Sequence, residues 1–210
     1  MSTAITDAIT TLAEAEAKFQ LTRTEDEDFF REYYVDLPTL TKPEKHELME
    51  MRRRYLYQRS QGHLLERTVI LLFASPLLTL AGFYDPPFRV KAEESIQLVL
   101  EDPNEILQGR LDILVLKDRV WVVVLESKKT ALSVWTALPQ TLAYLAANSY
   151  LNKPSYALMT NGDESVFVKV DQANQKLYTV SRSFTTQASI QELYATFRGL
   201  KGIARVVRED

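Results

Sequence analysis

The chain has no cysteine among its 210 residues. Disulfide frameworks, thiolate zinc sites and thiol nucleophiles are therefore excluded together, and the absence fits a cytoplasmic protein. Histidine is scarce too. His46 and His63 are too far apart in sequence for a helical zinc pair, and each reads as an ordinary helix histidine. Long apolar runs are also missing: the longest, residues 68–83, is broken by Ser75 and Pro76 and is too short to span a bilayer. The N-terminus lacks the basic start and apolar stretch of a signal peptide. These features predict a soluble, cytoplasmic protein with no membrane partner. No G-x-x-x-x-G-K-[ST] phosphate loop is found, so no nucleotide cofactor is expected. A net charge of −3 gives no global attraction to nucleic acid. Positive charge is concentrated locally in Arg52, Arg53, Arg54, Arg59 and Arg67, whose plainer reading is a solvated helix face.

A chain of this length buries a core without covalent staples. Apolar positions at helical spacing predict an amphipathic helix over residues 3–20 and further helices over 42–58, 63–80, 131–148 and 190–198. Thr41 followed by Lys42, Pro43 and Glu44 marks the start of the second, and Gly199 the end of the last. Pro139 sits either in a kink or in a first helical turn. Strands are predicted over 95–100, 109–116, 120–126, 155–159, 165–170 and 176–181, with Asn161 and Gly162 as a turn. The strand over 120–126 is apolar on both faces and should lie centrally in a covered sheet. Trp121 and Trp135 have apolar neighbours and read as core. The predicted class is α/β, a mixed sheet flanked by helices, with a helical extension over 1–60 preceding the main domain over 61–210.

Charge stands where burial is expected. Asp112 interrupts an otherwise Leu-Ile-Leu-Val-Leu strand, and Glu126 and Lys128 close an otherwise Trp-Val-Val-Val-Leu strand. Buried charges are costly unless paired with each other or with a metal. Strand alternation puts Glu126 and Lys128 on one face, with Ser127 and Lys129 on the other. Two carboxylates suit a hard cation such as Mg²⁺, and Lys128 would orient a hydrolytic water. Register supplies a condition. Asp112 shares a face with Glu126 when the numbers of paired residues sum to an even value, as with Leu116 opposite Val120. A three-residue turn of Lys117, Asp118 and Arg119 meets that condition, whereas a two-residue turn reverses the face of Asp112.

The run Gly109, Arg110, Leu111, Asp112, then Glu126, Ser127, Lys128, then Gln140 to Tyr144, then Thr160, Asn161, Gly162 resembles the N-terminal nuclease domain of type I restriction enzyme motor subunits and their stand-alone relatives, members of the PD-(D/E)xK superfamily. The resemblance covers roughly residues 64–170 and departs in having Leu111, not proline, before Asp112. It implies a restriction-endonuclease-like fold and an Mg²⁺-dependent deoxyribonuclease, with Mn²⁺ as a substitute. It also implies Asp112 and Glu126 as metal ligands, Lys128 as the catalytic lysine, Gln140 as a support of the site and Glu66 as a further metal-shell acid. Arg110, Lys129 and Tyr144 are the implied contacts to DNA. Cutting both strands with one site per chain would call for a homodimer. The alternatives are a degenerate member that binds nucleic acid or a protein without cutting, and an interaction domain whose strand-end charges pair with one another.

Overall fold

The computed structural model describes residues 2–99, 106–117, 120–127, 130–148 and 152–209. The amphipathic N-terminal segment is divided into a strand β1 (Ser2–Ala4) and two helices, α1 (Ile5–Ala8) and α2 (Leu12–Phe19). Thr11 restarts the helix. Its hydroxyl accepts from the Glu14 amide at 3.2 Å while the Glu14 carboxylate accepts from the Thr11 amide at 2.9 Å. This reciprocal cap satisfies amides that a first helical turn leaves unpaired. A two-residue strand β2 (Thr22–Arg23) and a 3₁₀ helix (Glu27–Tyr33) follow. The same capping box, made by Thr41 and Glu44 with Pro43 in the first turn, opens α3 (Lys42–Ser60).

The helix expected over 63–80 begins only at α4 (Glu66–Val69), widens into a π-helical stretch (Ile70–Ala74) and continues as α5 (Ser75–Leu80). Pro76 explains the widening: it has no amide to donate and its ring crowds the carbonyl four residues back. The Ser75 amide accordingly bonds to the Ile70 carbonyl. Helix 131–148 is likewise divided, into a 3₁₀ turn (Val134–Ala137) and α6 (Leu138–Ala146) with Pro139 in the first turn of the latter.

The sheet contains β1, β2, β3 (Arg89–Val99), β4 (Ile106–Lys117), β5 (Val120–Ser127), β6 (Ser155–Thr160), β7 (Glu164–Asp171), β8 (Leu177–Val180) and β9 (Phe184–Thr185). Its order is β1-β4-β5-β6-β7-β8-β2, with β3 on β4 and β9 on β7. Pairing is parallel for β5 with β6, β1 with β4 and β2 with β8, and antiparallel elsewhere. The sheet is therefore mixed, and β5 is central, as its two apolar faces require. Alternation along β6 and β7 divides the core in two. Tyr156, Leu158 and Phe167 enter a cluster with α3, α5 and the last helix, α7 (Ile190–Glu209). Ala157, Met159, Val166 and Val168 enter a second cluster with α1, α2 and α6. The first sixty residues supply two strands and contribute to both clusters, from Ile5, Ile9 and Phe19 to Leu48 and Tyr55.

Helix α7 does not stop at Gly199 but runs to Glu209. Gly199 and Gly202 lie one turn apart where the 3₁₀ helix crosses, and a Cβ at Gly199 would stand 3.0 Å from the Tyr33 carbonyl. One at Gly202 would collide with the Glu32 carbonyl. The glycines are thus packing notches and not a helix stop. The 3₁₀ helix is fixed to the sheet by a buried ion pair, Lys169 Nζ to Glu32 Oε1 at 2.6 Å, with the Tyr156 hydroxyl donating to the same oxygen at 2.9 Å. Helix α7 is tied to α3 by Lys201 Nζ and Glu44 Oε1 at 2.5 Å.

Two outcomes follow from these contacts. Gly202→Ala should lower stability by about 1–3 kcal/mol or more through overpacking, read as a lower urea midpoint. Burial alone would raise the Glu44 carboxyl, but hydrogen bonds from Lys201 and Thr41 outweigh it and hold the group below its ordinary value of 4.5. A depressed carboxylate contributes stability above its unfolded value and loses it as pH falls toward the folded one. Lys201→Met should therefore unfold at lower urea than the parent protein at pH 7, with the two midpoints converging as the pH falls through the lowered folded-state value of Glu44.

Candidate active site

Only residues 118 and 119 separate the paired Lys117 and Val120, so the β4–β5 connection is shorter than the three-residue turn expected. Taken alone, that register would set Asp112 and Glu126 on opposite faces. Pairing continues with Leu116 and Trp121 but resumes at Val115 and Val123, which makes Val122 an extra residue in β5. This bulge moves the paired sums from odd to even. The couples Leu114 with Val124 and Ile113 with Leu125 follow, and one further step sets position 112 across from position 126. A single-residue bulge re-phases every later position of a strand. The face condition is thus met by a bulge and not by turn length.

The face concerned is identified by β6. Position 126 pairs with Met159, which is fully buried in the cluster containing Leu138, Leu142 and Ala143 of α6. Positions 112 and 126 accordingly belong to the α6 side of the sheet. Asp112 is half-buried. On α6, Gln140 is also half-buried, and Tyr144, one turn further on, is 2 % exposed. A Cβ at Gly109 would stand 2.6 Å from Tyr144 Cε1 and 2.7 Å from Ile5 Cδ1, so glycine here lets α6 and α1 approach β4. Tyr144 therefore packs in the core, and its burial leaves little surface for the DNA contact that the resemblance implies.

Glu66 is the first residue of α4 and is half-buried. The apolar residues after it, Val69 and Phe73, belong to the other cluster, so its helix covers the opposite side of the sheet. The start of that helix is nevertheless bound to the chain leaving β5. Thr130 Oγ1 accepts from the Leu64 amide at 2.9 Å, and the Thr130 amide donates to the Leu64 carbonyl at 3.3 Å. Two residues on, the Leu132 carbonyl accepts from Asn161 Nδ2 at 2.8 Å, while Asn161 Oδ1 accepts from the Glu164 amide at 2.7 Å. Asn161 is 4 % exposed and so serves two loops at once. Helix α3 grips the same turn: Tyr55 donates to Asp163 Oδ1 at 2.8 Å and Arg59 Nε to Asp163 Oδ2 at 3.0 Å. Burial and the Asp163 carboxylate push the Tyr55 phenol above its ordinary range, which keeps it a donor. The chain from Thr130 to Leu132 is thereby held from two directions. Thr130 carried no signal in the sequence, and Asn161 was legible as a turn residue and as part of the resembling motif, not as a clamp on the chain after β5.

Lys128 and Lys129 lie outside the described residues, as do the side chains of Arg110 and Glu126. Among the described residues no group of three or more metal-ligating side chains converges. The arginine cluster is largely occupied. Arg52 donates to the Thr186 and Gln187 carbonyls, both at 2.8 Å, Arg59 holds Asp163, and Arg53 and Arg54 face Glu50 at 2.8 and 3.8 Å. Arg67 is exposed. Trp135, expected in the core, is 40 % exposed: the 3₁₀ turn buries Val134 and Ala137 and turns Trp135 outward.

The chain is of mixed α/β class, with helices on both faces of a mixed sheet. Comparison with family models, curated proteins and solved structures gives no match to any of the three. Among the described residues no helix is long and apolar enough to cross a membrane. Thr130→Val should leave the Leu64 amide without its acceptor and cost about 1–3 kcal/mol, measurable by urea unfolding.

Proposed function

We propose that the protein is an Mg²⁺-dependent deoxyribonuclease of restriction or repair type, with a PD-(D/E)xK-type site on a restriction-endonuclease-like sheet. The observation that carries this reading is the bulge at Val122, which brings positions 112 and 126 to the same face at neighbouring register positions of two central strands. Two carboxylates at neighbouring register positions suit a hard divalent cation.

In this reading Asp112 and Glu126 hold the ion, and Glu66, at the start of a helix fastened to the chain beyond β5, completes the ligand set. When bound, Mg²⁺, or Mn²⁺ in its place, supplies an activated water and neutralises charge on the scissile phosphate. Lys128 orients that water by hydrogen bonding, and its ammonium adds positive charge beside the phosphate. Gln140 supports the site from α6, on the side of the sheet to which positions 112 and 126 belong. Arg110 and Lys129 contact the DNA backbone, and Tyr144 keeps α6 seated on Gly109. The clamps at Thr130 and Asn161 fix the chain that follows the proposed lysine.

Supercoiled plasmid and single-stranded circular DNA incubated with the protein and Mg²⁺ or Mn²⁺ should be cut. Asp112→Ala and Lys128→Ala should each reduce the rate by about 100-fold or more without altering the urea midpoint downward. Cleavage that survives both substitutions would dismiss the proposal. Retention of DNA by the parent protein without cleavage would identify a binding protein instead.

A further inference from the structure

Helix α3 and the π-helical stretch that leads into α5 enclose a surface groove of about 360 Å³. Its floor is apolar. Met51 of α3 lines it together with Leu72, Pro76 and Leu80, which recur every four residues beside the core-facing stripe of Val69, Phe73 and Leu77. Leu71 also lines the groove and is 70 % exposed, the most open large apolar side chain among the described residues. Two opposite charges complete the lining. Glu47 and Arg54 are both exposed and stand seven residues apart on α3, which is two turns or roughly 10.5 Å along one side of a helix. Arg54 approaches Glu50 at 3.8 Å, an exposed pair of the kind that contributes little.

We propose that this groove is a self-association surface and that its occupant is a second copy of the chain, related by a twofold axis over α3. Such an axis sets the two α3 helices antiparallel. Each Glu47 then meets Arg54 of the other copy, and each Leu71 enters the other copy's groove, so one surface supplies both halves of the contact. A partner with charge of a single sign would be repelled at one end, and a purely apolar ligand would leave both charges without a match. Covering Leu71 also removes from water the apolar surface that the fold leaves open. The inference goes beyond the nuclease reading and does not depend on it.

Sedimentation of the full chain over a rising concentration range should show its mass doubling. Leu71→Asp, at an exposed position, should keep the urea midpoint and weaken association by about 30-fold or more. Glu47→Arg and Arg54→Glu, each by itself, should weaken it by about tenfold or more, because like charges then face each other twice. Mixed together, those two variants should associate with one another, since every pair again joins opposite charges, and the double variant should recover the parent's affinity. A chain that stays monomeric at every concentration, or single variants that ignore one another when mixed, would overturn the inference and leave the groove to a partner of another kind. A dimer indifferent to all of these substitutions would overturn it in favour of a different interface. Self-association with the expected charge exchange in a protein that never cuts DNA would support the interface while the nuclease reading fails.

Discussion

Burial of the sheet on both faces is the constraint on which the structure depends. Alternate residues of β6 and β7 enter different cores, Tyr156 and Leu158 one and Ala157 and Met159 the other. A slip of one residue in any strand would exchange the two sets and place each in a cavity shaped for the other. Register is therefore fixed tightly at the centre, and through the pairing of Glu126 with Met159 it reaches the candidate site. The bulge at Val122 acquires its meaning from this frame. Because both sides are covered, it determines whether positions 112 and 126 belong to the same core-facing side.

Hydrogen bonds made by small buried polar residues extend that frame past the last turn of β5. Thr130 and Asn161 are 8 % and 4 % exposed, and each satisfies backbone groups of a segment distant in sequence. Buried backbone groups without partners are expensive, so such side chains dictate loop position as firmly as packing dictates strands. The β6–β7 turn, gripped by Tyr55 and Arg59, passes order from α3 to the loop after β5. Helices on opposite sides of the sheet therefore meet at one place, the end of the central strand.

Charge in this protein divides between the scaffold and the site. Arg52, Arg59, Lys169 and Lys201 bind carbonyls or carboxylates within the fold, and the Lys169–Glu32 pair holds a 3₁₀ helix that α7 can approach only through Gly199 and Gly202. A net charge of −3 thus says little about how charge is distributed locally. Basic residues close together in sequence on α3 point to different tasks because a helix turns them to different neighbours.

What could be read from the chain by itself was whatever depends on neighbours near in sequence. Thr41 with Glu44 marked a helix start because a capping box closes within four residues, and the unbroken apolar run of β5 marked a central strand because both its faces had to be covered. Asp112, Glu126 and Lys128 stood out because charge in such strands needs a partner, and the Asn161–Gly162 turn because only certain residues adopt it. Matters that depend on contacts far apart in sequence were decided by the tertiary structure alone. Gly199 could end a helix or let one pass closely, and the 3₁₀ helix from residues 27–33 chose the second. Trp135 was apolar enough for a core that its turn did not face. The shared face of positions 112 and 126 arose from a bulge six residues before the proposed lysine, made in the pairing of β5 with β4 and invisible in the order of its residues.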